Sequence, residues 1–258
     1  MAARAQVIET EELKTGTFEM PRQTKYTLTG AVKQTPQNSV AGRTKMVYPI
    51  KEDEQVAAFI GVFENKIKTA KTDRMLRSAL CNRAWILASL NSGLRNSDVV
   101  SRRWMDFYYP DWKFREGVRI QEQKTGKFAT YALNAYTKRA LEEYRAFMAE
   151  HNLLDYDGYV FTTFRTSSYH IGIDNCNMIV KAAAKEVGIR RNVGTHSLRK
   201  TFGYHFLTQN RGDAYALATL QKLFRHSSPS ITLAYCGIDE EEMGKVYAQM
   251  GEYFAQFA

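Results

Sequence analysis

From about residue 50 onward, large apolar side chains recur at three- and four-residue spacing. Val56, Phe59, Ile60, Phe63 and Ile67 follow the acidic start Glu52-Asp53-Glu54 and predict a first helix. Leu76, Leu80, Leu87 and Leu90 predict a second over 73–90, with Gly93 as its stop. Ser97-Asp98 has the composition of an N-cap region leading to Val99, Val100 and Trp104. After Pro110 the period shortens. Phe114, Val118 and Ile120 suggest a strand, Lys124-Thr125-Gly126-Lys127 a turn, and 129–133 a returning strand. Helical spacing resumes over 135–150, where Leu141, Tyr144 and Phe147 are placed for burial, and again over 174–187, 198–207, 214–225 and 239–256. The pattern is that of a mainly α chain with one small antiparallel β-sheet (α+β), without internal repeats.

Residues 1–45 break from this pattern. They are rich in Thr, Gln, Lys and Glu, poor in large apolar residues, and punctuated by Pro21, Gly30, Pro36 and Gly42. Such a segment cannot bury a core of its own and reads as a flexible basic extension. The expected organisation is this extension followed by a single domain over 46–258. Composition fits: 258 residues with 44% hydrophobic content suffice for one large domain.

Charge narrows the class of partner. The net charge of +9 favours an anionic one, nucleic acid above all. Cys81, Cys176 and Cys236 are widely separated, which fits neither a zinc pattern nor a disulfide framework and suggests reduced thiols. No apolar run approaches the roughly 18 residues of a membrane span, and the N-terminus lacks a signal-peptide pattern. A cytoplasmic, nucleoid-associated protein is expected.

Against that background one ordered set of residues points to chemistry. Arg95 lies in Gly93-Leu94-Arg95-x-Ser97-Asp98, ahead of Trp104 and Asp106. Lys124 is in the turn. His196 and Arg199 share the run Thr195-His196-Ser197-Leu198-Arg199-Lys200-Thr201-Phe202. His226 ends Leu223-Phe224-Arg225-His226, and Tyr235 follows it by nine residues. Arginine presents a planar fork that matches the non-bridging oxygens of a phosphodiester and stays charged at any working pH. Two such forks, Arg95 and Arg199, suit a pentacoordinate phosphorus, where fixed charge is usually the largest catalytic contribution. Tyrosine, with an ordinary pKa near 10, needs neighbouring cations or a base before it can attack. A covalent phosphotyrosine would conserve the bond energy for rejoining.

These boxes, in this order and spacing from about residue 46 to the C-terminus, resemble the tyrosine recombinases, the phage integrase family. The resemblance implies that family's catalytic-domain fold, a 3′-phosphotyrosyl link and a free 5′-hydroxyl. It also implies roles: Tyr235 as nucleophile, Arg95 and Arg199 as the phosphate clamp, and Lys124 as general acid on a mobile hairpin. His196 becomes the acid/base partner and His226 a phosphate hydrogen-bond donor. Neither metal nor cofactor is called for. The acidic clusters Glu52-Asp53-Glu54 and Asp239–Glu242 each begin a predicted helix, where carboxylates suit the dipole, and no P-loop pattern is present.

Phosphate contacts are expected from Arg102, Arg103, Lys113, Lys127, Arg190, Arg191, Lys200 and Arg225, with affinity that falls steeply with salt. The chain departs from the family's usual pattern in three respects, at Arg225, at Cys236 after the tyrosine, and in length. Arg225 stands where the family usually has glycine, bringing charge toward the phosphate or outward onto DNA. The family's N-terminal helical domain, which closes over DNA, has only the short extension in its place, so the chain reads as a minimal recombinase or as a fragment of a longer one, with weak binding as a monomer. Met243, Val246, Tyr247, Met250, Tyr253 and Phe254 lie at helical spacing in a C-terminal segment (about 239–258) that the family often donates to a neighbour, so a homo-tetramer on double-stranded DNA is expected. Type IB topoisomerase-like relaxation and DNA binding without cutting are the competing functions.

Overall fold

The structure, a computed structural model, describes residues 46–121, 126, 128–163 and 166–257. The 1–45 extension and the turn lysines Lys124 and Lys127 lie outside the described residues. Helix α1 (Asp53–Lys68) buries Phe59, Val62 and Phe63 and carries Asp53 and Glu54 in its first turn, where the dipole favours them. Helix α2 (Asp73–Ser92) begins at Thr72, whose hydroxyl accepts from the Met75 amide, and ends at Gly93 in the left-handed conformation (φ 62°). Its inner length, from Ala79 to Ser89, is buried almost all round, because α2 is the central rod of the unit running from Lys45 to Ala258. It packs against α1, α5 (Ala135–Glu150) and α7 (Thr195–Gln209).

Short elements α3 (Asn96–Val100) and α4 (Trp104–Phe107) follow α2. The N-cap of α3 is Arg95, so Ser97 and Asp98 fall inside its first turn rather than ahead of it. The local reason is packing: Asn96 turns inward and its Oδ1 accepts from Trp85 Nε1 of α2 at 2.9 Å. Strands β1 (Val118–Gln121) and β2 (Phe128–Tyr131) pair antiparallel, with Val118 opposite Tyr131 and Gln121 opposite Phe128. Phe114 is not part of this ladder; it bridges to Tyr108.

A second antiparallel pair, β3 (Thr162–Thr163) with β4 (Thr166–His170), corrects the expectation of one sheet. A two-residue strand is too short to show alternation. Helix α6 (Ile173–Glu186) then packs on α1 and α7. The larger core runs through α1, α2, α5 and α6 around Trp85, Trp104, Tyr144 and Phe161. Burying one such side chain stabilises the fold by about 1.5–3 kcal/mol.

The C-terminal third builds a second, smaller core. Helices α8 (Ala216–Phe224) and α9 (Pro229–Cys236) pack on each other and on α7, joining Leu207, Leu220, Phe224 and Cys236 to Phe202, Leu233 and Tyr235. Helix α10 (Asp239–Ala255) continues from α9 and leaves Met243, Val246, Tyr247, Met250, Tyr253 and Phe254 exposed.

Candidate active site

The site lies where the α2–α3 connection, α7 and the α8–α9 pair meet. Two close approaches make the meeting possible. A Cβ on Gly93 would lie 2.5 Å from the Phe202 ring, so only glycine lets the strand of chain leading to Arg95 settle on α7. A Cβ on Gly203 would lie 2.6 Å from Cys236 Sγ and 2.8 Å from the Phe224 ring, so α7 carries no side chain where α8 and α9 press on it.

The first turn of α7 is anchored before it reaches the site. The Thr195 amide and hydroxyl both donate to Asn177 Oδ1 of α6, at 3.0 and 3.2 Å. Ser197 Oγ accepts from the Gly194 amide. His196 is exposed on that turn. Arg199, three residues on and therefore on the same helix face, is buried (5% exposed). Its Nη2 donates to the Phe224 carbonyl at 2.9 Å, and its guanidinium lies 4.2 Å from the centroid of the Phe224 ring. That carbonyl is at the C-terminal end of α8, where the dipole welcomes a cation. The arginine is thus held from behind by backbone and aromatic face together.

His226 and Tyr235 complete the cluster. Their ring centroids are 5.1 Å apart, and each stands edge-on to Phe224, at 5.3 and 5.6 Å. The helix that carries Tyr235, α9, starts at Ser228, whose hydroxyl accepts from the Ile231 amide, with Pro229 at its first position. Burial pushes the Tyr235 phenol up from its ordinary value, while the charges of Arg199 and Arg95 pull it down; burial prevails. Burial and then the same two arginines lower the His226 pKa below its ordinary value. Both arginines therefore act on both rings, although their elements are far apart in sequence. Arg95 itself reaches the Asp98 carboxylate at 4.0 Å.

His226 shares a hydrogen bond with Thr232 whose direction is tied to the tautomer of the ring. Nδ1 lies 3.1 Å from Thr232 Oγ1, and Thr232 Oγ1 donates to the Ser228 carbonyl at 3.3 Å. With its proton on that carbonyl, the hydroxyl accepts from Nδ1–H. The neutral ring then presents Nε2 as an acceptor, and becomes a donor there only as imidazolium. Thr232 and Phe224 both lie in the sequence box around His226, but nothing in their spacing reveals these roles.

The other basic residues are placed variously. Lys200 is 9% exposed, and its ammonium lies 5.0 Å from the Tyr235 ring centroid. Arg102 donates to the Asp98 carbonyl and to Ser101, and pairs with Asp106 at 3.5 Å. Arg103 donates to the Asp157 carbonyl and stacks on Tyr159. Lys113 pairs with Asp111 at 2.9 Å. Arg190 and Arg191 are exposed, Arg191 over Tyr48. Arg225 Nη2 donates to the Phe128 carbonyl of β2 at 2.9 Å. Cys236, which follows Tyr235, is buried, and burial pushes its thiol up to about 12. Among the described residues no three His, Cys, Asp or Glu side chains gather as a metal site, and no helix is long and apolar enough to cross a membrane.

Residues 54–242 match the phage integrase family. The chain belongs to that family. It is 34% identical over 162 residues to the probable integrase/recombinase YoeC of Bacillus subtilis (strain 168), an alignment covering 63% of this chain and 80% of YoeC. Among solved structures it resembles XerH site-specific recombinase bound to palindromic difH substrate in a post-cleavage complex, with a TM-score of 0.59 and 19% identity over 80% of this chain. It also resembles XerA recombinase, with a TM-score of 0.56 and 18% identity over 80% of this chain. These two likenesses are likenesses of fold. The integrase-family chain spans 54% of the XerH chain and 66% of the XerA chain.

Proposed function

We propose that this integrase-family chain is a site-specific DNA recombinase that cuts and rejoins double-stranded DNA through a covalent 3′-phosphotyrosine, without metal or ATP. The observation that carries the reading is the convergence of Arg95, Arg199, His226 and Tyr235. Two permanent cations bear on a phenol and an imidazole whose rings lie 5.1 Å apart.

The two guanidiniums take the non-bridging oxygens and stabilise the charge that grows on them in the pentacoordinate state. Tyr235 Oη attacks phosphorus as its proton passes to His196. The P–O5′ bond breaks, and the leaving oxygen takes a proton from Lys124. His226 binds a phosphate oxygen through Nε2–H, which requires the imidazolium. The phosphodiester's negative charge opposes the field of the two arginines and favours that form. Rejoining runs the same steps backward with a new 5′-hydroxyl. One phosphodiester replaces another throughout, so the exchange needs no external energy source.

DNA contact falls to exposed cations, Arg190 and Arg191 among them, and to Lys127. The buried Lys200 packs over the Tyr235 ring. The exposed stripe of α10 supports docking onto a second copy and, on DNA, a tetramer. The working compartment is the nucleoid.

Nicked suicide duplexes from the native locus test this directly. An SDS-resistant protein–DNA adduct is expected with the unaltered protein and none with Tyr235→Phe, while DNA binding persists in both. An adduct that survives in Tyr235→Phe overturns the assignment. Binding without any adduct points to a non-cutting protein. Supercoil relaxation without exchange between two sites points to a topoisomerase.

A further inference from the structure

Arg225 occupies a backbone position that suits glycine. It is the C-cap of α8 at φ 54°, ψ 42°, in the left-handed region, where the Cβ of an L-residue crowds the following carbonyl. A residue that strains its own backbone calls for a compensating contact, and the side chain makes one. Nη2 donates at 2.9 Å to the carbonyl of Phe128, 97 positions away. Phe128 is the first residue of β2, and its pair with Gln121 closes the ladder at the turn end. On the outer side of that ladder the Arg119 guanidinium stacks 4.2 Å from the Phe128 ring. A two-stranded hairpin is barely stable alone, so a tether at Phe128 bears directly on how the pair of strands is held.

The backbone on either side of Arg225 belongs to the site. The preceding carbonyl, Phe224 O, accepts from Arg199. The following residue is His226, whose ring meets Tyr235. One residue therefore joins the cluster of Arg199, His226 and Tyr235 to the hairpin, and Lys124 lies between Gln121 and Phe128 in sequence.

We propose that Arg225 is a positioning residue: its bond to Phe128 holds the β1–β2 hairpin against the site, and the leaving-group protonation assigned above to Lys124 depends on it. This rests on the recombinase reading above. Arginine here exchanges an unstrained helix end for a placed hairpin.

The test compares the full chain, Arg225→Gly and Lys124→Ala in single-turnover adduct formation at saturating DNA. Two nicked duplexes are used, one with the ordinary 5′-oxygen at the scissile phosphate and one with a bridging 5′-sulfur, whose thiolate leaves without a proton. Arg225→Gly is expected to melt at the same temperature or higher, because the left-handed strain is gone. It is expected to cleave the oxygen duplex more slowly, by roughly tenfold or more, and the sulfur duplex at the unaltered rate. Backbone amides of 128–131 are expected to exchange hydrogen faster. Unaltered cleavage of the oxygen duplex overturns the proposal, as does equal slowing on both duplexes, which means a structural role. Weaker affinity with an unaltered rate at saturation means a DNA contact and overturns it too. The underlying reading fails separately, if the unaltered protein forms no adduct or if sulfur does not rescue Lys124→Ala. Hydrogen exchange at 128–131 then decides the tether alone: faster exchange supports it and unaltered exchange overturns it.

Discussion

His226 offers the most direct test of the site's electrostatics. Its folded pKa lies below the ordinary 6.5, chiefly through burial and then through Arg199 and Arg95. The fold therefore favours the neutral ring. Stability from this group is fully present above pH 6.5 and declines as pH falls through the lowered value, because the unfolded chain takes up the proton first. His226→Gln is expected to flatten the acid limb of a stability–pH curve, read by denaturant titration at a series of pH values. A short duplex carrying the scissile phosphate is expected to raise the pKa, seen by NMR titration of the imidazole; no upward movement would contradict a phosphate-binding imidazolium. Gly203 belongs to the same scale. With a Cβ placed 2.6 Å from Cys236 Sγ, Gly203→Ala is expected to cost about 1–3 kcal/mol and to slow adduct formation by displacing α9.

Between helices, the load falls on a few cross-links. Arg83 of α2 reaches Glu64 of α1 at 3.1 Å and also Glu143 of α5. Arg83→Met leaves two carboxylates facing each other across the central helix. A loss of about 2 kcal/mol is expected by chemical denaturation, moderated because Glu143 is half exposed. Long elements were legible in the sequence because their apolar spacing reports burial: α1, α2, α5, α6 and α10 lie where periodicity placed them. Helix α9 was not predicted, although it carries Tyr235. Its eight residues are too few for a period, and only Ser228-Pro229 marks its start. Strand β3, two residues long, escaped for the same reason.

Across the whole molecule, the net charge of +9 and the uncovered face of α10 govern behaviour. DNA affinity is expected to fall linearly on a log–log salt plot, with a shallower slope when Arg190 and Arg191 are both replaced by Ala, measured by fluorescence anisotropy. Removing residues 239–258 is expected to leave the two cores folded and adduct formation on suicide duplexes intact, while abolishing exchange between two full sites. Loss of exchange with a tetramer still present by sedimentation on DNA would refute a linking role for α10.

The sequence by itself determined the helical scaffold and the family, and it nominated the candidate reacting groups. Periodic burial and chemically necessary residue types are local properties that survive in a linear string. Tertiary structure alone decided how those groups are tuned. Whether Tyr235 is pushed up or pulled down depends on burial beside Phe224 against the charges of Arg95 and Arg199, which converge from different elements. Lys200 became a buried neighbour of Tyr235 rather than an open DNA contact because α7 turns that face toward α9. Arg225, read as charge near the phosphate or outward on DNA, reaches the β1–β2 hairpin from a left-handed helix end, across a gap of 97 residues. Distances of that kind are set by packing, and no spacing along the chain encodes them.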